Sequence, residues 1–216
     1  MSDLIIVLGK RGMGKSVYTR KWLADRDARP MVCYDPMRSI PHVEWYEDLT
    51  TYQGEDIDDE YPMSVGCYTP DQINHIPDIA LWTPGCIVVL EEMATAYPKG
   101  ARLSSDMARL VFLSRHYDID MLFVAQRPSS IPIDVRSQAT NIVSFAQHEG
   151  DDLSWMKDFY GKRVAEIPML PRLHYLEYSD RGVDTGKVSI DRTKKHEYKS
   201  NEELEYSNIL IDLIKD

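Results

Sequence analysis

The sequence predicts an α/β fold in which a mostly parallel central sheet carries helices on both faces. Short apolar runs, the clearest at residues 4–8 and 86–90, have the continuous pattern of strands that are buried on both faces. Segments with helical spacing alternate with these runs, which favours parallel strands joined by helical crossovers. The length of 216 residues fits one domain with a substantial core.

Strands and helices are predicted in alternation along the chain. The predicted strands are 4–8, 31–34, 64–68, 86–90, 121–125 and 142–145. The predicted helices are 16–25, then 105–117, capped by Ser104 or Ser105, and 151–160, ended by Gly161. Near the C-terminus, 173–178 and 187–190 flank a glycine-containing turn and are predicted to form a hairpin, and 202–214 an amphipathic helix.

Composition narrows the class of protein. The chain is 43% hydrophobic, which is globular composition, and its net charge of −10 argues against a surface coated in basic residues for wrapping nucleic acid. No apolar run is long enough to cross a bilayer, and the N-terminus lacks the features of a signal peptide, so the expected compartment is the cytosol. Three widely spaced cysteines without metal spacing are interpreted as reduced and mostly buried.

We therefore interpret residues 1–216 as a single domain with two appendages. Residues 37–62 are predicted to be an irregular acidic insertion, solvated rather than functional, with a regulatory or docking role as the alternative. Residues 172–216 form the C-terminal extension of hairpin and helix.

A glycine-rich loop lies between the first strand and the first helix. It has the Walker A spacing, and we predict that it binds ATP through the residues Gly9, Lys10, Arg11, Gly12, Met13, Gly14, Lys15, Ser16 and Val17. The glycines let the backbone turn its N–H groups inward, and the start of the helix adds its positive dipole end. Lys15 is expected to bridge the β- and γ-phosphates, and Ser16 to place its hydroxyl on Mg²⁺.

Two carboxylates follow the clearest core strand. A P-loop core needs a carboxylate on the adjacent strand to hold the metal and a base for the attacking water. We predict that Glu91 orients the Mg²⁺ shell through water and that Glu92 polarises the attacking water. The common form of this motif has Asp in the place of Glu91, so the metal site must accommodate a side chain that is one methylene longer. The alternative is that one Glu merely starts a helix.

A neutral amide ends the next core strand. Gln126 follows residues 121–125, where it could report loss of the γ-phosphate without adding charge. An isolated Gln at a strand end is usually only solvated, but its surroundings are distinctive. Arg115-His116 precedes the strand after a short turn, and Gln126-Arg127-Pro128-Ser129 ends it. Residues 131–138 continue the pattern with Ile-Pro-Ile-Asp-Val-Arg-Ser-Gln.

With these motifs the chain resembles the FtsK–HerA superfamily of DNA-pumping ATPases, over about residues 3–160. Its short single-domain form is most similar to the genome-packaging ATPases of membrane-containing double-stranded DNA viruses. The resemblance implies a RecA-like core, a ring that is usually hexameric, DNA threaded through its centre, and a sensor role for Gln126. It also implies an arginine that completes the neighbouring subunit's site. Arg115 is the first choice for that arginine, and Arg127 and Arg136 are the alternatives.

The same resemblance sets expectations for partners and location. The partner is expected to be double-stranded DNA bound without sequence preference, since no base-reading module is visible. Proteins of a capsid vertex or membrane are further candidates, and the location would be the host cytoplasm or the packaging vertex of a virion. Candidate contacts to DNA are the basic residues Lys99, Arg102, Lys187, Arg192, Lys194, Lys195 and Lys199, although such clusters are usually solvated surface.

Two other functions share the nucleotide motif. An assembly ATPase like the Zot-type proteins of filamentous phages would extrude single-stranded DNA, but those proteins usually carry a membrane segment. A nucleotide-dependent switch or small-molecule kinase would need an acceptor pocket and a lid with arginines, which the acidic insertion lacks. The guanine-reading motif of GTPases is also missing. DNA-stimulated ATP hydrolysis would separate a motor from a kinase.

Overall fold

A nine-stranded sheet forms the centre of the protein in a computed structural model that describes residues 2–26, 29–52 and 63–190. The spatial order of the strands is β3-β4-β2-β5-β6-β1-β7-β8-β9. Strands β1 to β7 are parallel, and β8 and β9 add an antiparallel hairpin at one side. The strands are β1 Leu4–Leu8, β2 Met31–Tyr34, β3 Glu44–Tyr46, β4 Ser64–Cys67, β5 Ile87–Leu90, β6 Asp120–Ala125, β7 Asn141–Ser144, β8 His174–Ser179 and β9 Gly182–Lys187.

Helices connect the parallel strands. The α-helices are α1 Lys15–Ala24, α2 Ile76–Trp82, α3 Met93–Ala96, α4 Ser105–Leu113, α5 Ile133–Gln138 and α6 Gly150–Tyr160. Short 3-10 helices cover Leu49–Thr51, Pro70–His75, Ser114–His116, Pro128–Ser130 and Gly161–Met169. No helix among the described residues is long and apolar enough to cross a membrane.

The sheet is covered on both faces because its strands are apolar on both sides. Along β1, Leu4, Ile6 and Leu8 pack into one core cluster, and Ile5 and Val7 pack into the other, as the alternation of a strand requires. The larger cluster receives side chains from α2, α4, α5 and α6. The smaller cluster receives Tyr18 and Trp22 of α1, together with side chains of the C-terminal hairpin region. The fold class predicted from the sequence is therefore confirmed.

Most predicted elements are present with shifted ends. Ser104 caps α4 as expected, its hydroxyl accepting a hydrogen bond from the Met107 amide at 3.3 Å. The predicted helix over 105–117 ends earlier, at Leu113, and continues only as a 3-10 turn. The three cysteines are buried and free, as predicted.

Two predictions about peripheral segments are wrong. Residues 37–62 are not irregular throughout, because β3 pairs with β4 at the edge of the sheet. The second hairpin strand is Gly182–Lys187 rather than 187–190. Its sequence lacks alternating apolar residues because the strand lies at the sheet edge, and Gly186 leaves room for the ring of Tyr175, which a Cβ would meet at 2.2 Å. The predicted helix over 202–214 lies outside the described residues.

Paired charges stabilise the end of the sheet at which the parallel strands begin, here called the amino edge. The buried carboxylate of Asp120, at the start of β6, accepts hydrogen bonds from Arg26 Nε at 2.8 Å and Arg29 Nη1 at 2.5 Å. Arg26 also pairs with Asp3, which precedes β1. The C-terminal end of α1 is thereby held against the starts of two central strands, which fixes the direction of α1 across the sheet.

Close packing of the first loop against β7 predicts a sharp difference between two glycine substitutions. At Gly9, where φ is +156°, an added Cβ would lie 2.6 Å from the Cβ of Phe145, whereas at Gly150 it would meet nothing within 4 Å. Gly9→Ala should lower the free energy of unfolding by about 1–3 kcal/mol, and Gly150→Ala should leave it nearly unchanged. Denaturant melts of both variants measure this, and equal stabilities would contradict the packing described.

Candidate active site

The glycine-rich loop is held open between β1 and α1. Lys10 N–H donates to the carbonyl of Ala146 at 3.3 Å, which ties the start of the loop to the segment after β7. An added Cβ at Gly14, where φ is +128°, would approach the Phe145 ring at 2.9 Å. The side chain of Phe145 therefore packs against the loop at both Gly9 and Gly14, and it leaves room only for glycine at these two positions.

Unpaired amides line this loop. The backbone N–H groups of Gly12, Gly14, Lys15 and Ser16 donate to no other described residue. No side chain caps the start of α1, whose N-cap is Gly14. Free amides at a helix N-terminus attract an anion through hydrogen bonds and through the helix dipole. The loop can therefore take a phosphate group.

Lys15 is buried beneath the loop. Its ammonium donates to the carbonyl of Gly9 at 2.9 Å and lies 3.5 Å from that of Lys10. Burial lowers the pKa of Lys15 from its usual value, and the nearby carboxylates of Glu92 and Glu91 partly oppose this by favouring the charged form. The ammonium thus lies within electrostatic reach of both predicted carboxylates.

Other predicted loop residues differ in exposure. Lys10, Arg11 and Ser16 are exposed, so their side chains are free to meet a ligand. Met13 and Val17 are partly buried and pack against the smaller core cluster, which gives them a structural role as well.

Glu91 follows β5 and is buried, with 6% of its surface exposed. Its backbone N–H donates to the carbonyl of Tyr34 at 2.9 Å, which fixes it against β2. Its Oε1 accepts a hydrogen bond from the Thr19 hydroxyl at 2.8 Å. Burial raises the pKa of Glu91 to about 7; the Thr19 hydrogen bond works against this, and nearby Asp35 adds to it. The carboxyl group is therefore held against α1 by Thr19, within electrostatic reach of Lys15.

Glu92 has a left-handed backbone conformation, with φ 47° and ψ 52°, at the start of α3. A non-glycine residue in this region carries strain that commonly marks functional sites. Its Oε2 accepts a hydrogen bond from Gln126 Nε2 at 3.3 Å. The two residues after β5 and β6 are therefore in contact, as a base and a γ-phosphate sensor would need to be.

The strand order corrects one expectation. The strand that carries Glu91 and Glu92 is not adjacent to the strand that precedes the loop, because β6 lies between β5 and β1. Since these strands are parallel, their carboxyl ends meet at one edge of the sheet. Lys15, Glu91, Glu92 and Gln126 all lie at this edge, and β6 places the amide of Gln126 between the carboxylates and the loop.

The residues present fit a Mg²⁺ ion that arrives with a nucleotide. No group of three or more His, Cys, Asp or Glu side chains within the described ranges could hold a metal alone. Mg²⁺ is usually bound by one or two carboxylates together with substrate phosphates and water. Ser16 lies three residues before Thr19 on α1, so it shares the helix face on which Thr19 meets Glu91.

The three candidate arginines have different surroundings. Arg127 is paired with the buried carboxylate of Asp152, its Nε lying 2.9 Å from Oδ2. The guanidinium of Arg136 lies over the ring of Trp155, 5.6 Å from its centroid. Arg115 is exposed and makes one long hydrogen bond, 3.4 Å, to Gln138. Arg115 is therefore the most available of the three.

Arg115 lies at the opposite edge of the sheet from the loop of its own chain. It lies in the 3-10 turn Ser114–His116, shortly before the start of β6, whose six residues span about 20 Å at ~3.3 Å each. It cannot reach the carboxyl edge of its own chain, so a catalytic role would require the site of another copy.

Sequence reasoning missed three contributors to the site. Thr19 holds Glu91, and Gln147, which is buried, donates to the carbonyl of Gln126 at 2.6 Å. Arg172 Nε donates to the carbonyl of Gly12 at 3.1 Å. The position of Thr19 on α1, one helical turn after Lys15, was a signal for the first. Only tertiary contacts reveal the other two.

The basic residues predicted to contact DNA are dispersed. Lys99 and Arg102 lie in the loop between α3 and α4, and Lys187 ends β9. The remaining candidates, Arg192, Lys194, Lys195 and Lys199, lie outside the described residues.

Solved structures share this fold. The genome packaging NTPase B204 from Sulfolobus turreted icosahedral virus 2, in complex with AMPPCP, has a TM-score of 0.72 at 14% identity, covering 87% of this chain and 98% of its own. VirB4 of Thermoanaerobacter pseudethanolicus has a TM-score of 0.65 at 10% identity, covering 88% and 90%. The N-terminal domain of zonular occludens toxin from Neisseria meningitidis has a TM-score of 0.54 at 16% identity, covering 89% and 96%.

At these identities the likeness establishes a shared fold, the RecA-like P-loop NTPase fold. The fold expected from the sequence resemblance is therefore the fold of this chain, and it is shared with the genome packaging NTPase B204. No protein-family model and no curated protein sequence matches the chain.

The burial of Glu91 predicts that the free energy of unfolding of the nucleotide-free protein depends on pH. Its pKa of about 7 exceeds the ordinary 4.5, so the folded state binds more protons than the unfolded state between these values. Stability should therefore fall as pH rises through this window, and the loss should approach roughly 3 kcal/mol above pH 7. Glu91→Gln, which keeps an acceptor for Thr19, should remove this loss.

Urea melts at pH 5 and pH 8 measure this effect. We expect Glu91→Gln to be more stable than the unmodified protein at pH 8, with a much smaller difference at pH 5. An equal difference at both values would show that Glu91 is not the group that titrates.

Proposed function

We propose that this chain is an FtsK–HerA-type ATPase that hydrolyses ATP to move double-stranded DNA, as a viral genome-packaging motor. One observation carries the proposal. Lys15, Glu91, Glu92 and Gln126, which come from three separate strand ends, converge at one edge of the sheet beside a loop of free amides. A phosphate-binding loop next to a carboxylate pair and an amide is what triphosphate hydrolysis requires.

The chain's own groups divide the work of hydrolysis. The free amides of the loop and the ammonium of Lys15 would bind and orient the triphosphate, in place of the carbonyls that Lys15 now contacts. Glu92 would accept the proton of the attacking water, and Gln126, already hydrogen-bonded to Glu92, would respond to the γ-phosphate. No covalent intermediate is needed, since positioning and charge neutralisation suffice.

Ser16 and Glu91 would hold Mg²⁺, Ser16 directly and Glu91 through water. When bound, the ion neutralises charge on the phosphate oxygens. The hydrogen bond from Thr19 keeps the longer side chain of Glu91 in place, which accommodates the methylene that distinguishes it from Asp.

The position of Arg115 supports an oligomeric assembly. An arginine that stabilises the transferring phosphoryl group must approach from a neighbouring copy if it lies far from its own loop. A closed ring, which we propose to be a hexamer, places the amino edge of one copy near the carboxyl edge of the next. Arg127 is the weaker alternative because Asp152 already neutralises it.

The proposed biological setting rests on the likeness to the genome packaging NTPase B204. We propose that DNA is bound through its phosphates, that partners at a capsid vertex or membrane receive the motor, and that it acts in the host cytoplasm or on the virion. The second candidate is an assembly ATPase of the Zot type, which the likeness to the zonular occludens toxin domain favours. Stimulation by double-stranded rather than single-stranded DNA would separate the two.

Removing the proposed base should stop hydrolysis without preventing nucleotide binding. Glu92→Gln should lower the rate of ATP hydrolysis by 100-fold or more, since general-base catalysis contributes about 10²–10⁴-fold. The dissociation constant for ATP should change little. Steady-state phosphate release and calorimetric ATP binding measure the two quantities, in the presence and absence of double-stranded DNA.

Glu47→Gln, at an exposed carboxylate outside the site, serves as the matched control and should retain the unmodified rate. Unchanged turnover in Glu92→Gln would remove Glu92 from this role. Failure of the unmodified chain to bind ATP at millimolar concentration would contradict the proposed function.

A shared active site predicts rescue in mixed assemblies. Arg115→Ala and Glu92→Gln subunits should each be almost inactive alone, and a mixture should regain part of the ATPase activity, because an Arg115→Ala copy keeps its own Glu92 and can receive the intact Arg115 of a Glu92→Gln neighbour. Arg109→Ala, at an exposed arginine of α4, provides the control, since it should stay active without any partner. A mixture that stays as inactive as its components would show that no arginine at this position is shared.

A further inference from the structure

A polar cavity lies beyond the carboxyl edge of β5 and β6, apart from the glycine-rich loop. It has a volume of about 120 Å³ and lies between the loop that follows α3 and the segment from Ser129 to Arg136. Its polar lining comes from Tyr97, Arg102, Ser129, Ser130 and Arg136, and no Asp or Glu side chain contributes to it. Two arginines without a carboxylate are unusual in a chain whose net charge is −10.

Two residues that line the cavity carry buried donors with no acceptor in the described part of the chain. Tyr97 is only 6% exposed, and its buried hydroxyl has no hydrogen-bond partner among the described residues. Arg136 Nε is buried and equally unpaired. Buried polar groups nearly always have partners, since leaving one unsatisfied costs about 1–3 kcal/mol. Unpaired donors at one cavity therefore indicate a missing acceptor.

Arg102 and Arg136, the two arginines that line the cavity, are available to bind an anion. Neither Arg102 nor Arg136 forms an ion pair within the described part of the chain. The Arg136 guanidinium lies over the ring of Trp155, 5.6 Å from its centroid, and the face of that ring favours its positive charge. The hydroxyls of Ser129 and Ser130 also donate to no described residue. Arginine and hydroxyl donors around a small cavity match the oxygens of a phosphate.

We propose that this cavity binds a backbone phosphate of the DNA, an inference that rests on the proposed function and gives it a contact site. Arg102 and Arg136 supply the charge, and Tyr97 and the two serines supply further hydrogen bonds. Such a contact is independent of base sequence, as a motor that moves along any DNA requires. Arg102 was one of the basic residues expected to meet DNA, and the cavity gives that expectation a defined geometry.

The position of the cavity couples it to hydrolysis. Tyr97 is the C-cap of α3, the single helical turn whose N-cap is Glu92. Ser129 and Ser130 belong to the 3-10 turn that follows Gln126 and Arg127. Because Glu92 and Gln126 are hydrogen-bonded to each other, both walls of the cavity start at the pair that would meet the γ-phosphate. A change in that pair can shift the two walls relative to each other.

The test measures the affinity for a duplex oligonucleotide as a function of salt, with the full chain and a non-hydrolysed ATP analogue. Loss of one phosphate contact should reduce the slope of log K against log salt by about 1. We expect this for Arg102→Gln, with affinity falling about tenfold at low salt. Arg181→Gln, at an exposed arginine in the turn between β8 and β9, is the matched control and should keep the slope.

Tyr97→Phe provides a second measurement that a merely structural role would not produce. Removing an unpaired hydroxyl should leave the melting temperature of the DNA-free protein unchanged or raised, while DNA affinity falls. Arg136→Lys, which keeps the charge but loses the fork of donors, should weaken binding less than Arg102→Gln.

Three outcomes separate the hypotheses. Unmodified protein that binds no duplex DNA would overturn the proposed function itself. Binding with the same slope and affinity in all cavity variants would overturn this site and leave the motor intact. A change in oligomeric state with unaltered DNA binding, measured by light scattering, would assign the cavity to a carboxylate of a neighbouring copy and likewise overturn the proposal.

Discussion

The electrostatic attraction between one buried ammonium and two carboxylates organises the carboxyl edge of this protein. Burial disfavours the charge of Lys15, and Glu91 and Glu92 favour it. Burial also disfavours the charge of Glu91, which the hydrogen bond from the Thr19 hydroxyl and, to a smaller extent, Lys15 favour. Each group therefore lies where burial opposes its charge and groups of the other elements favour it. The strand order that brings α1, β5 and β6 together is therefore the constraint on which the candidate site depends.

The C-terminal region contributes directly to this edge. Phe145 supports Gly9 and Gly14 from below, and side chains of Leu173 and Val188 lie close to Gly14. The N–H of Leu173 donates to the carbonyl of Met13 at 2.8 Å, and Arg172 contacts Gly12. Residues before and after the antiparallel hairpin thus form part of the support of the loop. The hairpin extends the sheet next to β7, which is itself the neighbour of β1, so it lies on the same side of the sheet as the loop.

The two edges of the sheet carry different chemistry. At the amino edge, Asp120 and its two arginines are satisfied by one another, which is a structural arrangement. Arg115 lies close to this edge in sequence yet has no carboxylate partner among the described residues. At the carboxyl edge, donors are left unpaired both in the loop and in the cavity beside Tyr97. Two of the four buried side-chain atoms that have no partner among the described residues, the Tyr97 hydroxyl and Arg136 Nε, belong to residues that line this one cavity, and the other two belong to Ser2 and Trp22.

The sequence by itself determined the central strands, the loop and the candidate residues Lys15, Glu91, Glu92 and Gln126. These features are local, since an apolar run, a glycine spacing and the residue after a strand can all be identified without knowing what packs against them. Peripheral elements such as β3 and β9 were missed or misplaced because edge strands are only partly buried and lack a regular apolar pattern.

The tertiary structure alone decided which strands are neighbours and which polar groups have partners. It placed β6 between β5 and β1, paired Arg127 with Asp152, and left Arg115 at the far edge of the sheet. It also joined Thr19 to Glu91 and Arg172 to Gly12 across long stretches of sequence. The physical reason is that spacing along a chain fixes residue types at strand ends, whereas burial, charge pairing and distance depend on packing between segments that are remote in sequence.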